Sequence, residues 1–288
     1  MALSPSLTFR PQAGTSITLL GHFQNDDSGS TQQFLPHVGT RFRSASGFVD
    51  SGLFVGEPGF DRYDTDVKSG SLFVDHKFND TFAVHHNMRY SDIFNVYDTY
   101  YPGFFAGPEA VGDDDFPFLD PAQRTIRRIK AIGDTSTQLL NTDTNLEAKL
   151  QTGPASHRLL GGLDYAKFRS SSTYGQAVSQ TPFDLYNPVY GQPDNLGIPI
   201  YDADGLIDSY RLVGAVPLTD FGKQDITQTG FTCRTRSSWP TGLPCSGCAA
   251  TGCIRTAARS SSTTKPIRRT TASTQTINAT RQPPIAQA

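Results

Sequence analysis

Between Leu140 and Leu150 the chain alternates without a break: Leu140, Thr142, Thr144, Leu146, Ala148 and Leu150 take one set of positions, and Asn141, Asp143, Asn145, Glu147 and Lys149 the other. A two-residue repeat fits a strand with one apolar and one polar face, not a helix. Thr152-Gly153-Pro154 interrupts it, and His157–Arg169 then resumes with Leu159, Gly161, Leu163 and Tyr165 on one face. The two runs predict a hairpin closed by a tight turn.

Two further hairpins follow the same plan. Leu3–Arg10 and Thr15–Gln24 flank Pro11–Gly14, and Asp66–Phe78 and Thr81–Ser91 flank Asn79-Asp80. The connections at the other end are long, roughly Asn25–Tyr63, Asp98–Asp134 and Ser170–Gly222, and rich in Gly, Pro, Asp and aromatic residues. Compact soluble domains seldom carry even one such loop. Transmembrane barrels pair short turns on one side with long loops on the other, and their tilted strands are longer than those of soluble sheets. The expected fold is all-β: a fragment of an antiparallel transmembrane β-barrel with about seven long strands, followed by a disordered tail.

Hydropathy does not oppose this. The chain is 36% hydrophobic with a mean hydropathy of −0.38 and has no run of 18 apolar residues, so no membrane-spanning helix is expected. Barrel strands never need such a run. No secretory signal is visible near Met1. Residues 231–288 hold eight of the 25 Lys and Arg and no acidic residue, which leaves residues 1–230 at about −10. All four cysteines (Cys233, Cys245, Cys248, Cys253) lie in that basic segment, so the body has no disulfide framework.

No catalytic constellation emerges, and no enzyme is expected. His85 and His86 are adjacent on a strand, so alternation sends their rings to opposite faces and spoils them as a chelating pair. Asp113-Asp114-Asp115 could gather a cation, but in a long loop a solvated acidic run is the simpler reading. Gly161-Gly162 sits within a strand pattern and forms no phosphate cradle. Nucleic acid is not an expected partner, because the body is acidic and the basic tail lacks interleaved aromatics.

The wording of the chain also resembles the ferrichrome-type branch of TonB-dependent siderophore receptors. The segments that carry the resemblance are Ser6–Pro11, Thr18–Gly21, Phe34–Pro36, Gly56–Tyr63, His76–Asp80, Asn87–Tyr90, His157–Tyr165, Leu185–Val189 and Gln228–Gly230. Together they cover most of residues 3–230. The resemblance implies part of a barrel of about 22 strands, in the outer membrane and in contact with its lipid. In intact receptors of this kind the lumen holds a plug through which the TonB complex acts, and neither plug nor TonB box is visible here. The implied ligand is a ferric hydroxamate-type siderophore, as cargo and not as a cofactor, so no resident cofactor is expected. Its uncharged or weakly charged organic shell calls for aromatic walls and a few hydrogen-bond donors. By position the resemblance implies Phe34, Tyr100, Tyr101 and Tyr174 as ligand contacts. Phe34 stands where the family commonly has an indole, and Tyr100-Tyr101-Pro102 departs from its Tyr-x-Tyr spacing.

The change of composition at Phe231 has an explanation in the genetic code. Taking the third base of each codon with the first two of the next permits Tyr-Val-Gln-Asp-Gln-Ile-Lys-Leu-Ala from the Phe231–Thr232 junction onward, with the final Ala forced by Trp239-Pro240. Pro244–Gly252 similarly permits Leu-Leu-Gly-Val-Arg-x-Asp-Trp. Both look like strands of the family type. Two domains are therefore expected: residues 1–230 as partial receptor barrel, and 231–288 as a frameshift-derived tail in which Cys245-Ser-Gly-Cys248 is accidental. The alternative is a soluble or secreted β-sandwich binding module, which would bury one face of every strand and keep its loops short at both ends.

Overall fold

A computed structural model describes residues 1–30, 34–103, 118–203, 207–238, 253–265 and 276–278. The described strands are β1 (Ala2–Leu3), β2 (Ser6–Phe9), β3 (Thr15–Asp26), β4 (Arg62–Lys77), β5 (Phe82–Pro102), β6 (Thr125–Thr152), β7 (Ala155–Asp184), β8 (Leu196–Tyr201), β9 (Ile207–Val213), β10 (Thr219–Ser238), β11 (Cys253–Lys265) and β12 (Thr276–Asn278). Seven of them run for 12 residues or more. They form one antiparallel sheet, ordered β1-β3-β4-β5-β6-β7 with β2 also on β3. Beyond β7 the sheet forks: the loop end of β7 pairs β8 and the rest pairs β10, which pairs β11. Among the described residues it does not close on itself.

The short turns fall where the sequence reading puts them. Gly153 takes φ +56° between β6 and β7, and Gly14 φ +84° before β3, backbone that a residue without Cβ adopts freely. The Asn79 side-chain oxygen accepts from the Thr81 and Phe82 amides and folds the turn between β4 and β5.

Register assigns every strand residue to a face. One row runs Leu19, Leu72, Met88, Thr142, Tyr165, Thr229, and the neighbouring row on the opposite face runs Thr18, Phe73, Asn87, Asp143, Asp164, Gly230. The apolar face is the exposed one, with Leu19 at 53% and Leu163 at 47%. That is the reverse of a soluble sandwich and fits strands standing in hydrocarbon. From Phe82 to Tyr90 this face of β5 is Phe, Val, His, Met, Tyr, nine residues that suit a tilted crossing; Asp92 follows on the same face. His86 satisfies itself within the band by a 2.8 Å bond to Thr144, while His85 faces the other way and pairs with Asp75 at 2.6 Å.

Two expectations change. Strand reaches well into the segments read as loops, because β5, β6 and β7 continue as a hairpin wall above the apolar band. Composition concealed this: Ser170-Ser-Ser-Thr-Tyr-Gly175 reads as a run of breakers, yet β6 and β10 supply backbone partners on both sides. The expected disorder from Phe231 onward is also corrected for the described part. β10 runs through Ser238 against β7, and Cys253–Lys265 lies along β10. The β-branched and aromatic Phe231-Thr232 enter a ladder whose β7 partners extend down to Ser156, so unpaired edge groups are satisfied by continuing the strand.

Among the described residues, parts of the remaining connections pack together. Val55, Phe118, Ile126, Phe183 and Leu185 form a buried cluster joined by Leu35, Val38, Val49, Leu53, Tyr186 and Tyr190, a small core built from three connections. Asp113-Asp114-Asp115 and Cys245-Ser-Gly-Cys248 lie outside the described residues.

Candidate functional site at the loop end of the wall

Above the apolar band, the polar face of the wall turns aromatic. One cross-strand row is Tyr63, Tyr97, Gly133, Tyr174; the next contains Thr99, Ala131, Gln176; a third contains Tyr101, Ile129, Val178. Tyr63 and Tyr97 meet edge to face at 5.9 Å. Gly133 makes room for Tyr174, since a Cβ there would stand 3.1 Å from its ring. Phe34 meets Tyr101 edge-on at 6.3 Å, and Phe221 meets Tyr174 at 5.7 Å. Tyr101 is backed by the buried Ile129, Val178, Ile207 and Tyr210.

The structure thus brings together three of the four residues singled out from sequence: Phe34, Tyr101 and Tyr174. Tyr97, Tyr63, Gln176 and Phe221 join them. Counting in twos along a strand would have found Tyr97 from Tyr101 and Gln176 from Tyr174, each on the same face; Tyr63 and Phe221 depend on neighbouring strands. None of these seven side chains carries a charge. Burial, reinforced by the neighbouring Tyr174 phenol, pushes the Tyr101 hydroxyl above the ordinary tyrosine range, so it remains a protonated donor.

Tyr100 is separated from them, because adjacent strand residues face opposite ways. It is 3% exposed beneath the loops, its ring 5.1 Å from Phe60 and its hydroxyl bonded to Asp194. Burial and that carboxylate push its pKa up. Beside it Arg128, also buried, donates to the carbonyls of Val55 (3.2 Å) and Gly56 (2.8 Å) and to Glu57 (2.9 Å). Its guanidinium lies over Tyr100 at 4.8 Å and Phe183 at 4.3 Å. Asp61 accepts from the Glu57 and Tyr100 amides and the Thr99 hydroxyl, although burial raises its pKa. These residues clamp the loop core to the outer side of the wall and hold the aromatic rows from behind.

Gly175 marks a close approach between wall and loop. A Cβ there would overlap the Pro217 carbonyl oxygen. Gly175→Ala is therefore expected to cost about 1–3 kcal/mol by overpacking and to speed hydrogen exchange over residues 214–222. Unchanged exchange there would show that the approach is looser than described.

A wall whose exposed face is apolar stands in lipid, and an aromatic rim on its polar side meets what arrives at the loop end. The chain is a stretch of antiparallel transmembrane β-barrel wall.

Comparison with known proteins shows what this wall is similar to. No family model matches the chain. The ferrioxamine B receptor of Salmonella typhimurium is 27% identical over 239 residues, covering 83% of this chain and 29% of the relative. The ferrichrome outer membrane transporter/phage receptor of Escherichia coli K12 is 30% identical over 193 residues, 65% of this chain and 26% of the relative. The catecholate siderophore receptor Fiu of the same organism is 23% identical over 226 residues. Among solved structures, the closed form of Fiu matches 91% of this chain at TM-score 0.54 and 17% identity, which supports the fold. The resemblance to siderophore receptors read from the sequence is borne out, and the chain spans less than a third of the length of these curated relatives.

Proposed function

We propose that this chain forms part of the wall and mouth of an outer-membrane receptor that captures a ferric siderophore of the hydroxamate type and imports it with energy delivered through TonB. The observation that carries the ligand class is the uncharged rim. A tris-catecholate complex of iron carries three negative charges and calls for cations where it binds, whereas a hydroxamate complex presents a weakly charged organic shell suited to rings and neutral donors. Phe34, Tyr101 and Tyr174 supply the walls, and Tyr100 supports them from the far side. The test is retention of radioactive iron by the full chain folded in detergent, offered as ferrioxamine B, ferrichrome or ferric tris-catecholate. Binding of the first two is expected, weakened roughly 10-fold by Tyr101→Ala or Tyr174→Ala. Preference for the tris-catecholate would reject the hydroxamate assignment.

We infer also that residues after Gly230 derive from a shifted reading frame. In the alternative frame the slots 232 to 240 read Tyr-Val-Gln-Asp-Gln-Ile-Lys-Leu-Ala, and the parity of β10 would turn Val, Asp and Ile outward and Tyr, Gln and Gln inward. The sequence as it stands turns Cys233, Thr235 and Ser237 outward and Arg234 and Arg236 inward. Sequencing the gene across and beyond this point is expected to show a family-like frame continuing one base out of register after Gly230, whether the gene is broken or mis-read; a downstream sequence with no such frame would dismiss the idea.

A further inference from the structure

Among the described residues, Gln176 is the one exposed polar side chain that projects among the rings of the mouth from the row between Tyr97–Tyr174 and Tyr101. Its side-chain oxygen accepts the Tyr101 hydroxyl at 3.1 Å and the Tyr174 hydroxyl at 3.4 Å. Two donors converging on one oxygen fix the orientation of the amide and turn its NH2 group away from both phenols. Among the described residues nothing accepts from that NH2 group. The rim therefore offers, on a wall of neutral rings, a single oriented pair of N–H donors.

We propose that Gln176 is the polar recognition residue of this mouth, donating from its amide nitrogen to an oxygen on the shell of a weakly charged ferric hydroxamate complex. The proposal rests on the siderophore reading above and adds to it the atom that does the polar recognition. An amide is suited to this ligand class: its N–H groups meet carbonyl or N–O oxygens that carry partial charge, and as a neutral group it needs no counter-ion when the ligand excludes water. The phenols then act as orienting groups behind the donor. Tyr101 donates there as the protonated phenol that tyrosine is at neutral pH, and burial pushes its pKa further up.

Two substitutions separate donation from mere support of the tyrosines. Gln176→Glu keeps an acceptor for both phenols at almost unchanged size, but replaces the donor with a carboxylate. Gln176→Met removes both functions. The position is exposed, so both variants should fold, as circular dichroism matching the parent would verify. With iron-labelled ferrioxamine B and ferrichrome as probes and the full chain in detergent, both variants are expected to weaken binding roughly 10-fold to 100-fold. Gln176→Glu binding as well as the parent, with Gln176→Met impaired, would overturn the donor role and leave Gln176 as a support for the tyrosines. Both variants binding like the parent would overturn any role. A parent chain that binds neither probe would overturn the siderophore reading itself and this assignment with it, a result distinct from the others.

Discussion

Arg128→Ala will release the loop core from the wall at a cost of about 3–5 kcal/mol, the range for breaking a buried ion pair by removing one partner. The magnitude follows from what is stranded. Glu57 would keep its bond from the Gly191 amide at 2.6 Å but lose the cation that compensates its charge. The Val55 and Gly56 carbonyls would lose their shared donor, and the faces of Tyr100 and Phe183 would lose the guanidinium between them. Hydrogen exchange is expected to rise over residues 53–61 and 183–191 while β3, β4 and the turn ends of β5 and β6 stay protected. Arg128→Met combined with Glu57→Leu should recover part of the loss, since it removes both charges together and returns apolar volume. Protection unchanged in Arg128→Ala would mean that the apolar cluster around Val55 and Phe118 fixes the loops alone.

The same clamp shows why sequence reached part of the site and not the rest. Alternation in 140–150 and the glycine and asparagine turns identified strands, faces and hairpin partners, because those signals are local and period two is unambiguous. The wall above the membrane lost that signal. Once loops cover its outer side, both faces can be apolar or both polar, so 125–134 and 170–184 read as loop. The resemblance implies Tyr100 and Tyr101 alike as ligand contacts, and only the register separates a residue facing Asp194 from one facing Gln176. Gln176 itself is an ordinary glutamine in a Ser-rich stretch, and its role comes from two tyrosines 2 and 75 positions away. In the tail, charge and cysteine content marked the change at Phe231, but a strand edge already committed to pairing carried the backbone past it.

Leu163→Arg is the second large effect expected, and it tests which face meets lipid. Leu163 stands in the row Ile17, Val74, His86, Thr144, Leu163, Phe231 on the exposed apolar face. An arginine on the lipid face near the bilayer midplane costs about 2–4 kcal/mol, falling toward zero at the interfaces. Ala166→Arg, three residues along the same strand, points to the polar face beside Asp143 and Asp164, where a cation finds carboxylates and water. In urea unfolding from lipid vesicles the first substitution should lower stability by that amount and the second should leave it nearly unchanged. A soluble sandwich would give another ranking, because an arginine on a solvent-exposed face is harmless. The comparison is decisive because both variants add the same charge to the same strand, so a difference between them can come only from the side on which the hydrocarbon lies.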